Sequence, residues 1–175
     1  MSNFDFLQEK WPMLASQGSL AEKQFLIDSN ACFIKLGMLG EALVKYMLAL
    51  DGIAEPLFDN THANRIKLLK QNGLLPQDID NILYSLRITR NKAAHEGYES
   101  DEEARTLLEL AHTLCVWFMQ TYGEWTFEAT PFILPTQTES PETLATIVHQ
   151  LEVRNAELES EISAIQIATS VSIDE

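Results

Sequence analysis

The chain has 175 residues, of which 46% are hydrophobic, 22% charged and 9% aromatic, enough for one globular domain with a real core and a short appendage. Seven Gly and six Pro exclude a collagen-like or low-complexity chain, and no apolar run approaches the roughly 18 residues of a membrane span. The net charge of -14 would make a uniform surface repel nucleic acid and anionic lipid.

The chain opens Met-Ser-Asn-Phe-Asp-Phe, without the basic and apolar regions of a signal peptide, so a cytoplasmic protein is expected. Phe4, Leu7, Trp11 and Leu14 recur at helical spacing, with Pro12 interrupting or restarting the first helix. Ser19 and Glu22 read as a capping box that opens a short second helix. Asp28-Ser29-Asn30 stops one helix and caps the next, whose stripe is Cys32, Leu36, Leu39, Leu43, Met47 and Leu50. Gly37 and Gly40 lie within it. A helical Gly costs about 1 kcal/mol relative to Ala, so the pair predicts the close approach of another backbone.

Asp51-Gly52 ends that helix, and residues 52–60 read as a loop holding Pro56. Residues 61–72 form a helix closed by Asn72-Gly73. Pro76 lies near the start of the next helix, whose inner face carries Ile79, Leu83 and Leu86. Residues 96–100 turn the chain, and Ser100 with Glu103 forms a further capping box. Ala104, Leu107, Leu108, Ala111, Cys115, Phe118 and Tyr122 make a long buried stripe that Gly123 stops. Both cysteines, Cys32 and Cys115, fall inside apolar stripes and read as reduced, buried thiols. Residues 124–136 change character, and Pro131-Phe-Ile-Leu-Pro135 reads as an extended apolar arm with no second strand to pair it.

The fold class is therefore all-α: a bundle of about five helices over residues 1–136 with an arm along its side. Residues 137–175 form a separate acidic linker and amphipathic helix. Ser140-Pro141 starts that helix, and its heptads place Leu144, Leu151, Leu158 and Ile165 at d and Val148, Asn155 and Ile162 at a. β-branched residues at a with Leu at d favour a two-stranded parallel coil, and a single Asn at a fixes register. The competing arrangement is a helix laid on its own bundle.

No nucleotide-binding, zinc-protease, CxxC or GxSxG signature occurs, and His62, His95, His112 and His149 have no ligand spacing. No cofactor and no metal are expected. His62 reads as a solvated loop or N-terminal helix residue, and His112 as a structural histidine. Charge narrows the search. Residues 59–98 carry 6 basic and 4 acidic residues, whereas residues 137–175 carry 1 and 8, so any anion-binding surface belongs to the middle segment.

Within it stands Arg90-Asn91-Lys92-Ala93-Ala94-His95. Arg90 continues the Ile79, Leu83, Leu86 stripe at about 100° per residue. A guanidinium there must meet a carboxylate, such as Glu41, helix C-terminal carbonyls or a bound anion, or else snorkel its head to water. His95 lies about 140° from Arg90 on a continuous helix, so the two converge only if the helix breaks at Asn91 or across a dimer cleft. In that arrangement His95 would take a proton from a ribose hydroxyl, and Arg90 would hold the phosphate.

Arg, then Asn, then His a few residues on, between two helices of an α-bundle, resembles the HEPN superfamily. More closely, residues 1–136 resemble the HEPN-like domain of unknown function at the N-terminus of type I restriction enzyme R subunits and related DEAD/DEAH-helicase proteins. The resemblance is carried by Asn3-Phe-Asp-Phe-Leu-Gln-Glu-Lys-Trp11-Pro, Asn72-Gly-Leu-Leu-Pro76, Arg90-Asn-Lys-Ala-Ala-His95 and the Val116-Trp-Phe and Thr121-Tyr-Gly block. It implies a domain that commonly dimerises. Arg90, His95 and Asn91 become the candidate catalytic residues of a metal-independent ribonuclease. In the inactive branch of the superfamily the domain is an interaction module. The reading favoured here is an accessory dimerisation or docking domain of a restriction or helicase-type defence protein. Its partners would be a second copy, through the cleft or the 144–165 coil, and other subunits or domains of a restriction complex. RNA or a nucleotide is the ligand of the ribonuclease alternative, and no membrane is involved. Helicase and nuclease motifs would lie beyond Glu175. Arg105 and His112 repeat the Arg-to-His spacing inside one helix and read as coincidence.

Overall fold

A computed structural model describes residues 2–55, 57–136, 149, 152–156, 158–159 and 162. The chain divides into two compact units, Met1–Thr136 and Gln137–Glu175. Among the described residues every regular element is helical. The first unit holds α1 (Pro12–Phe25), α2 (Ser29–Leu50), α3 (His62–Gln71), α4 (Gln77–Glu96) and α5 (Asp101–Phe118). A 3-10 turn at Asp5–Leu7 precedes α1, and a π turn at Met119–Gly123 closes α5.

Capping residues set most of the boundaries. The side chains of Asp28, Thr61 and Ser100 accept from the backbone N–H groups of Ala31, Asn64 and Glu103 and so start α2, α3 and α5. Pro12 occupies the first turn of α1, where its missing N–H costs nothing. Gly97 ends α4 in the left-handed region at φ 64°. Ser19 does not open a helix. It lies inside α1, and Glu22, the other half of the expected capping box, is buried and engaged elsewhere. One Glu22 carboxylate oxygen accepts from the backbone N–H of Asn3 at 3.0 Å and from its Nδ2 at 2.5 Å.

The core lies around α2, which buries Cys32, Phe33, Leu36, Leu39, Leu43, Val44, Met47 and Leu48 against the other four helices. Leu50, assigned to that stripe by spacing, is exposed at the end of the helix. From α4 come Ile79, Ile82, Leu83 and Leu86. From α5 come Leu107, Leu108, Ala111, Leu114, Cys115 and Phe118. Both cysteines are buried and unpaired, and burial pushes the Cys32 thiol up to about 12 and the Cys115 thiol up as well. The close approach predicted at Gly37 and Gly40 is made by side chains, not by backbone. A Cβ at Gly37 would lie 2.3 Å from Cγ of Arg90, and one at Gly40 would meet Leu86 at 3.4 Å. Helix α4 thus lays the stem of Arg90 across the bare backbone of Gly37.

The arm is held at both ends of its apolar run. Phe127 packs on Phe6 with ring centroids 5.0 Å apart, and Phe132 packs on His112 at 5.6 Å. Between the arm and the start of the chain, Asn3 donates from Nδ2 to the Ile133 carbonyl at 2.7 Å and accepts from the Ile133 N–H at 2.8 Å.

In the second unit, residues 149, 152–156, 158–159 and 162 are helical and exposed, among them Leu158 and Ile162. The heptad positions Leu144, Val148, Leu151 and Ile165 lie outside the described residues.

Because the atoms facing Gly37 are the near end of the Arg90 side chain, a methyl group there cannot be absorbed by a rotamer change. Gly37→Ala is expected to lower stability by about 1–2 kcal/mol despite its better helix propensity, read as a fall in Tm. A rise in Tm would mean that the two helices are not in this register.

Candidate functional site

The middle segment folds as an antiparallel α3–α4 hairpin. Asn72 and Gly73, the latter at φ 70°, close α3, and Pro76 leads into α4. Ion pairing fixes the register at the turn end, where Lys70 Nζ lies 2.6 Å from Asp80 Oδ2. The N-terminal end of α3 therefore faces the C-terminal half of α4.

Arg90, Asn91 and His95 occupy one unbroken helix. α4 runs through Asn91 to Glu96, so the local break that would bring Arg90 and His95 together within one chain is absent. His95 is exposed in the last turn. That turn is pinned to α2 by Asn30, whose Nδ2 donates to the carbonyls of Ala93 at 2.9 Å and Tyr98 at 3.0 Å. Arg90 is half-buried, and its NH1 donates to Asn91 Oδ1 at 3.3 Å. Among the described residues it has no carboxylate partner.

Glu41, expected opposite Arg90, is taken by other cations. It lies 3.3 Å from Lys45 and 3.5 Å from NH1 of Arg65. The buried guanidinium of this protein is Arg65, 7% exposed. Its Nε and NH2 both donate to Glu55 Oε2, at 3.0 and 2.8 Å. Arg65 meets the requirement argued for Arg90, that a guanidinium on an apolar face be paired.

His62, expected to be a solvated loop or N-terminal helix residue, does start a helix but is not fully solvated. It is the first residue of α3, half-buried, and its buried Nδ1 has no hydrogen-bond partner among the described residues. Burial pulls its pKa down from 6.5 to about 4. Glu41 opposes this, and the charges of Arg87, Arg65 and Arg90 reinforce it. His62 is thus the histidine set in the field of the arginines. The signal was present in the sequence: His62, Arg65, Ile66 and Leu69 follow a 3-and-4 spacing that puts all four on one face.

The other histidines lie outside this cluster. His112 is buried among the rings of Phe4, Phe6 and Phe132, and burial lowers its pKa. Arg105, its partner in the repeated spacing, is exposed. His149 is an exposed helical residue of the second unit. Among the described residues no three His, Cys, Asp or Glu side chains group as metal ligands, and no helix is long and apolar enough to cross a membrane.

What the hairpin assembles is thus a neutral imidazole among three guanidiniums, one of them fully paired, on a bundle of five helices. It is a helical domain with a cationic centre in an otherwise acidic chain. Residues 19–164 match the family described as "Domain of unknown function (DUF4145)", and the chain belongs to that family. It is also similar to a subunit named "Type I restriction enzyme EcoKI endonuclease subunit" from Escherichia coli (strain K12), 30% identical over 174 residues, or 94% of this chain. The chain spans 14% of that subunit's length. No solved structure matches it.

The depressed histidine has a consequence for stability. His62 binds its proton less readily in the fold than in the unfolded chain, so folding stability falls as pH drops from 6.5 toward 4. This contribution is expected to be on the order of 2 kcal/mol, allowing for partial exposure. His62→Gln is expected to lose that much less stability than wild type between pH 7 and pH 4, measured by urea unfolding. Equal losses would show that His62 takes its proton at an ordinary pH.

Proposed function

We propose that this chain is an accessory domain that dimerises or docks within a DNA-processing restriction complex, and that its fold is of the HEPN type. The observation that carries the reading is the similarity to a restriction endonuclease subunit along nearly all of this chain but only 14% of that subunit. A piece of that size, matching a family without an assigned activity, fits an appended module better than an engine. The bundle supports this in its own terms: its one buried cation, Arg65, is consumed by internal ion pairs.

Dimerisation would run through the second unit. Asn155, Leu158 and Ile162 fall at a, d and a of the heptad pattern, and all three are exposed. A second copy would cover them, with Asn155 setting the register. Leu158→Asp is expected to convert a dimer to a monomer in sedimentation equilibrium, with the helical bundle still folded. Asn155→Ile is expected to raise the Tm and broaden the oligomer distribution. A wild-type monomer, or a Leu158→Asp dimer, would remove the coil from the proposal.

The second reading is a metal-independent ribonuclease with His95 as general acid or base, Arg90 as phosphate clamp and Asn91 as an orienting group. It is favoured by one observation, that among the described residues Arg90 has Asn91 as its one hydrogen-bond partner and so keeps donors for an anion. Because α4 is continuous, His95 would have to come from the second copy. RNA cleavage in EDTA is the test. Loss of activity of at least 100-fold in both His95→Ala and Arg90→Ala, with the dimer intact, would establish this reading. No cleavage by the folded wild-type dimer would leave the docking role.

A further inference from the structure

Between them α3 and α4 line a groove that neither reading above uses. Its volume is about 550 Å³, within the range of ligand-binding clefts. Lys67 and Lys70 line it from α3, and Tyr84 and Arg87 line it from α4, over a floor that includes Ala63 and Ile66. Three features of these walls point to one class of ligand.

The first is uncompensated charge. Lys70 is neutralised by Asp80, but among the described residues Lys67 and Arg87 have no carboxylate partner. In a chain of net charge -14, two free cations facing one groove form a local attractor for anions. The second is an exposed aromatic face. Tyr84 is 57% exposed, and the Arg87 guanidinium sits 5.5 Å from its ring centroid. A ring flanked by a cation offers a stacking platform beside a phosphate clamp. The third is length. Asp80, Tyr84 and Arg87 line the groove along one side of α4, over about 10 Å at 1.5 Å per residue. A single phosphate would use a fraction of that track.

We propose that the α3–α4 groove binds single-stranded nucleic acid, with Lys67 and Arg87 on successive phosphates and a base stacked on Tyr84. The mode of recognition is backbone charge plus stacking, so sequence preference is weak. Binding here needs neither the coil nor cleavage, and the inference stands or falls apart from the proposed function.

The test is fluorescence anisotropy with labelled dT and rU 12-mers on the full chain, at several salt concentrations. Two phosphate contacts give an expected slope of log K against log salt of about -1.4. Lys67→Glu with Arg87→Glu is expected to weaken binding at least 10-fold, and Tyr84→Ala about 5-fold or more. Lys23→Glu and Arg105→Glu, exposed cations away from the groove, are expected to change affinity less than 2-fold. Arg87→Lys keeps the charge and guards against a folding artefact; it is expected to retain most of the binding. Absence of binding overturns the proposal. So does equal weakening by the two control substitutions, which would mean diffuse attraction. Displacement of the 12-mer by a mononucleotide or a poly-Glu peptide at equal concentration overturns it too, because either would mean that no strand is required.

Discussion

The bundle depends on the burial of α2. Twenty-two residues long, this helix is apolar on more than one face and gives each of the other four helices a surface to pack on. Eleven of its residues are buried, whereas α3 and α4 bury only stripes. A helix apolar around most of its circumference is stable only when surrounded. The positions of α1, α3, α4 and α5 are then answers to one problem, how to keep α2 from water. Gly37 and Gly40 tune one of those answers: without side chains at these two positions, α4 comes close enough for an arginine stem to lie on helix backbone.

That proximity sorts the cations of the middle segment. Arg65 sits where water is excluded and is matched by Glu55 and Glu41. Arg90 has its stem inside and its head at the boundary, as long cationic side chains do. Lys67 is exposed, and Arg87 is half-buried with its guanidinium over the Tyr84 ring. Burial thus grades the four from structural to available, and Glu41, spent on Arg65 and Lys45, is no longer there to quench Arg90.

Much of the architecture was legible in the sequence because it rests on local rules. The stripes of α2, α4 and α5, the caps at Asp28 and Ser100 and the stop at Asn72-Gly73 depend on residues three or four apart. The errors came where a side chain had a distant alternative. Ser19 and Glu22 have the spacing of a capping box, yet Glu22 is claimed by Asn3, nineteen positions away. Glu103 follows Ser100 as the box requires, but its carboxylate accepts from the hydroxyls of Tyr98 and Thr89. Arg90 lies on the inner stripe as the wheel says, yet the acid assigned to it serves Arg65. The site was legible to the level of its segment: the charge excess of residues 59–98 located it, and spacing within α3 put His62 on the face of Arg65, Ile66 and Leu69, but which cations surround it depends on which helix crosses α3.

The clasp at Asn3 links three parts of the molecule that are far apart in sequence. One amide side chain holds the arm at Ile133 and, through the same Nδ2 and the neighbouring backbone N–H, covers the buried carboxylate of Glu22. Mechanical load on the arm is therefore felt inside α1. If the arm is drawn away and Asn3 moves with it, Glu22 is left as an uncompensated charge at 7% exposure, a state that costs several kcal/mol. The arm is a tether whose resistance to pulling is electrostatic, and the force is borne by an acid it never touches.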